Sequence, residues 1–127
     1  MKTIQRLVTA ILLISVTSLS EATILKTSFY KSGKVTASGE KFRPYGNTAA
    51  SNSYRFGTIL QLSYNGKSTR VCISDTGGFA KYNRDLDVTL GVANKLKFTK
   101  SGVVSLKSVV LYKPNKRTSC KEACRLV

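Results

Sequence analysis

The sequence predicts a mainly-β protein: a closed barrel of short strands with one short helix. Three observations carry this. The apolar residues fall mostly at period two, which is the strand signature. Turn signals punctuate those runs, among them Gly33, Gly39, Pro44, Gly46 and Asn65-Gly66. Within the roughly 90 residues of the domain, one stretch alone, Leu90 to Lys97, has helical spacing. Many short strands plus one small helix point to a closed β architecture.

In chain order, Ile24 to Tyr30 is the first expected strand, and Ser32 to Ala50 is a turn-rich segment. Thr58 to Tyr64 puts Leu60, Leu62 and Tyr64 on one face. Asn65-Gly66 then predicts a hairpin, because both residues tolerate positive φ. Ser68 to Ser74 returns with Thr69, Val71 and Ile73 on one face, and Asp75-Thr76-Gly77-Gly78 breaks that strand. Arg84 to Val88 is a further short strand. Thr89 is placed to cap the helix that follows, with Leu90, Ala93 and Leu96 on one side. Val103 to Tyr112 is the last strand. A basic tail, residues 113–127, holds a short helix around Ser119 to Arg125.

Of the 127 residues, the first 22 have the layout of a secretory signal peptide. A positive lead, Met1 to Arg6, precedes an apolar run from Leu7 to Leu19, and Ser20-Glu21-Ala22 offers small residues for cleavage. An uncleaved anchor is the competing interpretation, but the apolar run is short for a permanent span. Export to the periplasm or the medium is therefore expected. The domain is expected over residues 23–112. The leader holds Lys2, Arg6 and Glu21, so the rest keeps 19 basic against 5 acidic side chains. Such a field attracts polyanions. Outside the cytoplasm these are anionic wall polymers, membrane head groups and peptide carboxylates. Nucleic acid is disfavoured by export and by the absence of any nucleic-acid motif.

The three cysteines are Cys72, Cys120 and Cys124. In an exported chain they suggest one disulfide and one remaining thiol. Cys120 and Cys124 have helical spacing, which suits a mutual disulfide poorly. Cys72 is thus expected to pair with one of the two. No His and so few Cys leave no zinc site, and no metal or cofactor is expected. A monomer is the default expectation.

Several short motifs occur in a fixed order: Thr36-Ala37-Ser38-Gly39-Glu40, Thr48-Ala49-Ala50, Phe56-Gly57-Thr58, Asn65-Gly66-Lys67, Asp75-Thr76-Gly77-Gly78-Phe79, Asp87-Val88-Thr89 and Gly102-Val103. Each is weak alone, but together they span about 80 residues, from Tyr30 to Tyr112. In order and spacing they resemble the rare lipoprotein A family, and the Asp-Thr-Gly-Gly segment also resembles the related three-aspartate domains. The resemblance implies a six-stranded double-psi β-barrel with an open groove, a fold shared with expansins. It also implies lytic transglycosylation of peptidoglycan glycan strands, with formation of a 1,6-anhydro-muramic acid end. The alternative is a non-catalytic, expansin-like wall binder; a barwin-like defence or toxin protein is a third option.

A lytic transglycosylase needs one group that is first an acid and then a base, where hydrolytic glycosidases use two carboxyls. Outside the leader the only acids are Glu40, Asp75, Asp85, Asp87 and Glu122. Asp75 ends a strand at a Gly-Gly turn and is expected at the barrel rim. Asp87 precedes the helix cap, where the helix dipole favours ionisation and a lowered pKa, whereas a nearby Asp75 would raise one of the two. The resemblance puts Asp75 and Asp87 on the two groove aspartates, and Glu40 on a glutamate implicated in activity. Expected substrate contacts are Tyr45 and Tyr82 by stacking, together with Ser51, Arg43 and Thr76. Lys41, Lys81 and Arg84 are candidate partners for anionic groups. The chain departs from the family pattern at four positions. Ser51 stands where the family usually has His, Arg43 where it has Asp, and Thr76 and Gly78 replace an Arg and a Pro. Ser cannot carry a proton as His does near neutral pH, so a mechanism resting on the aspartates fits the chain better.

Overall fold

A computed structural model gives the structure of residues 21–127. The leader expected over residues 1–22 lies, for its first 20 residues, outside the described part. The described chain forms six strands: β1 (Thr23–Tyr30), β2 (Thr48–Ala50), β3 (Ile59–Tyr64), β4 (Lys67–Asp75), β5 (Leu86–Thr89) and β6 (Val104–Tyr112). Two short helices accompany them, α1 (Leu90–Leu96) and α2 (Cys120–Arg125), and a single 3-10 turn covers Gly78–Tyr82.

The strands close into one barrel in the order β1-β5-β2-β4-β3-β6. Two pairs run parallel, β1 with β5 and β2 with β4; the others are antiparallel. Parallel neighbours require the chain to cross the barrel between them. Between β2 and β4 the chain passes through β3, and between β1 and β5 it passes through β2, β3 and β4. The β3–β4 hairpin turns at Asn65-Gly66, both at positive φ, as expected from the sequence.

Period-two alternation fixes which side chains fill the barrel. Leu60 and Leu62 of β3 and Val71 and Ile73 of β4 point inward, and Leu106 of β6 and Val88 of β5 meet them. Phe98, just past α1, is buried against the same core and lies edge-on to Phe29 and Tyr64. The side chain of Thr89 accepts a hydrogen bond from the Val92 backbone N–H and donates to the Gly46 carbonyl, so it caps α1 and ties it to the preceding loop. α1 ends at Leu96, one residue before the expected end, because Lys97 takes the left-handed conformation that closes a helix.

The one strand absent from the sequence-based expectation is β2, inside the segment expected as turns. Three residues are too few to display a period, and its identity is set by pairing on both edges. The tail folds back onto the barrel. Ala123 is fully buried, and Cys120 of α2 is joined to Cys72 of β4 by a disulfide. This realises one of the two expected pairings and leaves Cys124 as an exposed thiol.

Candidate active site

The register of β2 builds the site. Ala50 stands opposite Asp75 of β4 on one edge and opposite Asp87 of β5 on the other. Two aspartates 12 positions apart in sequence thus flank one alanine, about 10 Å apart along the sheet at ordinary strand spacing. A β-bulge between Ala49 and Ala50 brings Asp75 rather than Ser74 into that register. The methyl of Ala50 leaves open space between the carboxyls. A cavity of about 480 Å³ lies there, lined by Asp75 and Asp87 and edged by Thr76, Phe79, Tyr82 and Arg84.

Three donors converge on the Asp75 carboxylate: the backbone N–H of Ala37 (2.8 Å), that of Thr76 (2.9 Å) and the Tyr30 hydroxyl (3.3 Å). Burial pushes the Tyr30 phenol well above its ordinary pKa. The charge of Asp75 and the hydrogen bond to it push the same way, as does the charge of Asp87. Tyr30 therefore keeps its proton and remains a donor to Asp75. Its ring is stacked on Phe42 at 4.8 Å, which fixes its direction.

Asp87 accepts one hydrogen bond, from the Ser28 hydroxyl at 2.9 Å. Burial raises its pKa above the ordinary carboxylate value. The Ser28 hydrogen bond and the Arg84 guanidinium oppose that rise, and the Asp75 charge adds to it. The lowering expected from its place before a helix is not the net direction: loss of solvent on this half-buried carboxyl exceeds what Ser28 and Arg84 restore. Its raised proton affinity also agrees with the alternative expectation of repulsion from Asp75.

The other expected site residues divide. Thr76 and Tyr82 border the aspartate cavity, as do Lys81 and Arg84. Both cations lie over the Tyr82 ring, 5.5 Å from its centroid, so the exposed aromatic carries a positive collar. Ser51 is not brought to the cavity as a free ligand. It is 1 % exposed, and its hydroxyl oxygen accepts from the N–H groups of Ser53 and Tyr54. Tyr45 is exposed beside α1, its backbone facing Gly91, and it does not line the aspartate cavity. Arg43 and Lys41 border a different cavity, against α2. Glu40 is drawn there too. Its carboxylate accepts from the Cys120 N–H at 2.9 Å and from the Ser38 hydroxyl at 3.2 Å, and so secures the tail. Asp85 accepts from the Lys26 N–H, and Glu122 pairs with Arg125.

Sequence reasoning missed Ser28, Tyr30 and the Ala37 N–H. A faint signal existed: Ser28 and Tyr30 are polar-capable residues two apart on a strand, hence on one face.

A closed six-stranded barrel with two parallel crossover pairs and a cavity at its rim defines a double-psi β-barrel protein. Residues 22–108 match the model of the lytic transglycolase family of such barrels, and the chain belongs to that family. It is 40 % identical over 81 residues to the probable endolytic peptidoglycan transglycosylase RlpA of Nostoc sp., covering 62 % of this chain and 22 % of that protein. It is 38 % identical over 89 residues to the protein of the same name from Treponema pallidum, covering 68 % and 27 %. The chain thus spans about a quarter of the length of these curated relatives. Among solved structures, the Streptomyces papain inhibitor superposes with a TM-score of 0.60 at 20 % identity, over 72 % of this chain and 96 % of that one, which shows a shared fold.

Proposed function

We propose that this protein is an exported lytic transglycosylase that cuts peptidoglycan glycan strands, with Asp87 as the acid and then the base. The observation that carries this is the placing of a half-buried Asp87, whose proton affinity burial raises, and a hydrogen-bonded Asp75 on one cavity. The naming of both relatives as peptidoglycan transglycosylases supports the substrate class. Peptidoglycan lies outside the cytoplasmic membrane, which agrees with the signal-like leader.

In this mechanism protonated Asp87 gives its proton to the glycosidic oxygen as the bond to the muramic acid C1 breaks. The Asp87 carboxylate then takes the proton of that sugar's own C6 hydroxyl, whose oxygen bonds to C1. The 1,6-anhydro ring closes, Asp87 regains its proton, and no water is consumed. Asp75, held by three donors, supplies fixed negative charge beside the developing positive charge at C1. A proton carrier of this kind typically contributes about 10²–10⁴-fold. A raised pKa keeps the acid form populated nearer neutral pH than an ordinary aspartate allows. Ser51 has no part in it, since its hydroxyl already serves the local turn. Lys81, Tyr82 and Arg84 offer a stacking face and positive charge for a sugar carrying a carboxylate.

The test is incubation of the chain without its leader with purified sacculi and with denuded glycan strands, followed by mass spectrometry. Anhydro-ended products are expected from wild type, with a loss of at least about 100-fold in Asp87→Asn. Sacculus binding with no product would establish the wall-binding alternative. Equal product from wild type and Asp87→Asn would remove Asp87 from the chemistry.

A further inference from the structure

A second cavity, of about 550 Å³, lies on the outer face of the barrel beneath α2. The strand period explains its floor. Ile73 points into the core, so Cys72 and Ser74, one residue to either side on β4, point outward. Cys72 enters the disulfide to Cys120, which forms one wall. Ser74 is 1 % exposed, and its hydroxyl is the one buried side-chain polar atom among the described residues that has no hydrogen-bond partner. Leaving such a group unpaired is costly, so it marks a place where a partner is missing. Lys41, Arg43 and Lys121 stand around the same cavity. Among the described residues the single ion pair is Glu122 with Arg125, so none of these three cations has a carboxylate of its own. The one acid in the wall, Glu40, is already engaged by the Cys120 N–H and the Ser38 hydroxyl.

We propose that this cavity is a second binding site, distinct from the aspartate cavity, which takes the free terminal carboxylate of a short peptide. Ser74 donates to the carboxylate at the floor, and Arg43, Lys41 and Lys121 supply the countercharge at the mouth. The disulfide wall offers contact to small alkyl side chains, which a peptide brings with its carboxylate and inorganic phosphate does not. The volume falls within the ordinary range for small-ligand sites. The site itself does not depend on glycan cleavage; only the choice of a wall-like peptide as probe rests on the function proposed above.

The probe is diacetyl-Lys-D-Ala-D-Ala, compared with its C-terminal amide and with inorganic phosphate, titrated into the disulfide-bonded chain lacking the leader and followed by backbone amide NMR. Shifts are expected at Ser74 and along Lys121 to Cys124. The amide and the Ser74→Ala variant are each expected to bind about tenfold more weakly, the effect of losing one charge-assisted hydrogen bond. Ser74→Ala is also expected to keep or raise Tm, since it removes an unpaired buried hydroxyl. Equal binding of acid and amide, shifts centred on Asp75 and Asp87, or phosphate binding as tight as the peptide would each overturn the proposal. So would a lower Tm for Ser74→Ala, which would mean that the hydroxyl serves the fold. Glycan cleavage by a protein that ignores the peptide would refute this site alone, whereas peptide binding without cleavage would refute the enzymatic function alone.

Discussion

Removing the Cys72–Cys120 disulfide tests how the tail is held. The bond closes a loop with a sequence separation of 48 residues. By chain entropy, opening a loop of that length costs about 4 kcal/mol at room temperature. The total stability of a domain this size is roughly 5–15 kcal/mol, so the loss is a large share of the whole. In Tm it amounts to a fall on the order of 15–30 °C. The perturbation is Cys72→Ala with Cys120→Ala, both in a Cys124→Ser background so that the exposed thiol cannot take over the bond. Urea melts followed by circular dichroism give the free energy, and coincident transitions by fluorescence confirm two-state behaviour. Other ties remain after the change. Arg55 donates to the Pro114 carbonyl at 2.7 Å, and the Thr118 N–H donates to the Phe56 carbonyl at 3.0 Å. If they alone suffice, the loss will be under about 1 kcal/mol, and the entropic reasoning is refuted. The aspartate cavity does not include the disulfide. Glycan cleavage at low temperature, where the variant stays folded, should therefore persist.

Further expectations follow from single contacts. Asp87 has a raised pKa in the fold, so its favourable contribution is complete at acid pH, below the unfolded value, and is lost as pH rises through the folded value. Asp87→Asn should therefore raise Tm at neutral pH, and that gain should vanish on acidification; an equal gain at all pH values would contradict the burial argument. A Cβ on Gly91 would lie 2.7 Å from the backbone of Tyr45. The clash, about 1–3 kcal/mol, exceeds the helix-propensity gain of up to about 1 kcal/mol, so Gly91→Ala should lower stability in a urea melt. Thr89→Val removes a fully buried hydroxyl that both caps α1 and donates to Gly46, and should cost about 1–3 kcal/mol by the same assay. Tyr30→Phe keeps the stack on Phe42 but removes one of three donors to Asp75. It should reduce anhydro-product formation more than it reduces Tm.

Local rules determined much of this protein. Alternating Leu60-Leu62 and Val71-Ile73 dictated two inward-facing strands, and Asn65-Gly66 dictated their turn, because each signal acts between residues a few positions apart. Thr89 declared its helix for the same reason. The ordered motifs identified the barrel, and the scarcity of acids narrowed the candidate chemistry to a handful of carboxyls. The tertiary structure decided how those carboxyls are used. Only pairing on both edges makes Thr48–Ala50 a strand, and only that strand's register sets Asp75 and Asp87 either side of Ala50. Closure of the barrel half-buries Asp87 and raises its pKa, where its place before a helix had led to a lowered one being expected. The return of the tail engages Glu40 and selects Cys120 over Cys124, two cysteines with equal standing in the sequence. Burial, charge proximity and crosslinking depend on which distant segments meet, and two parallel crossovers fix those meetings in space rather than along the chain.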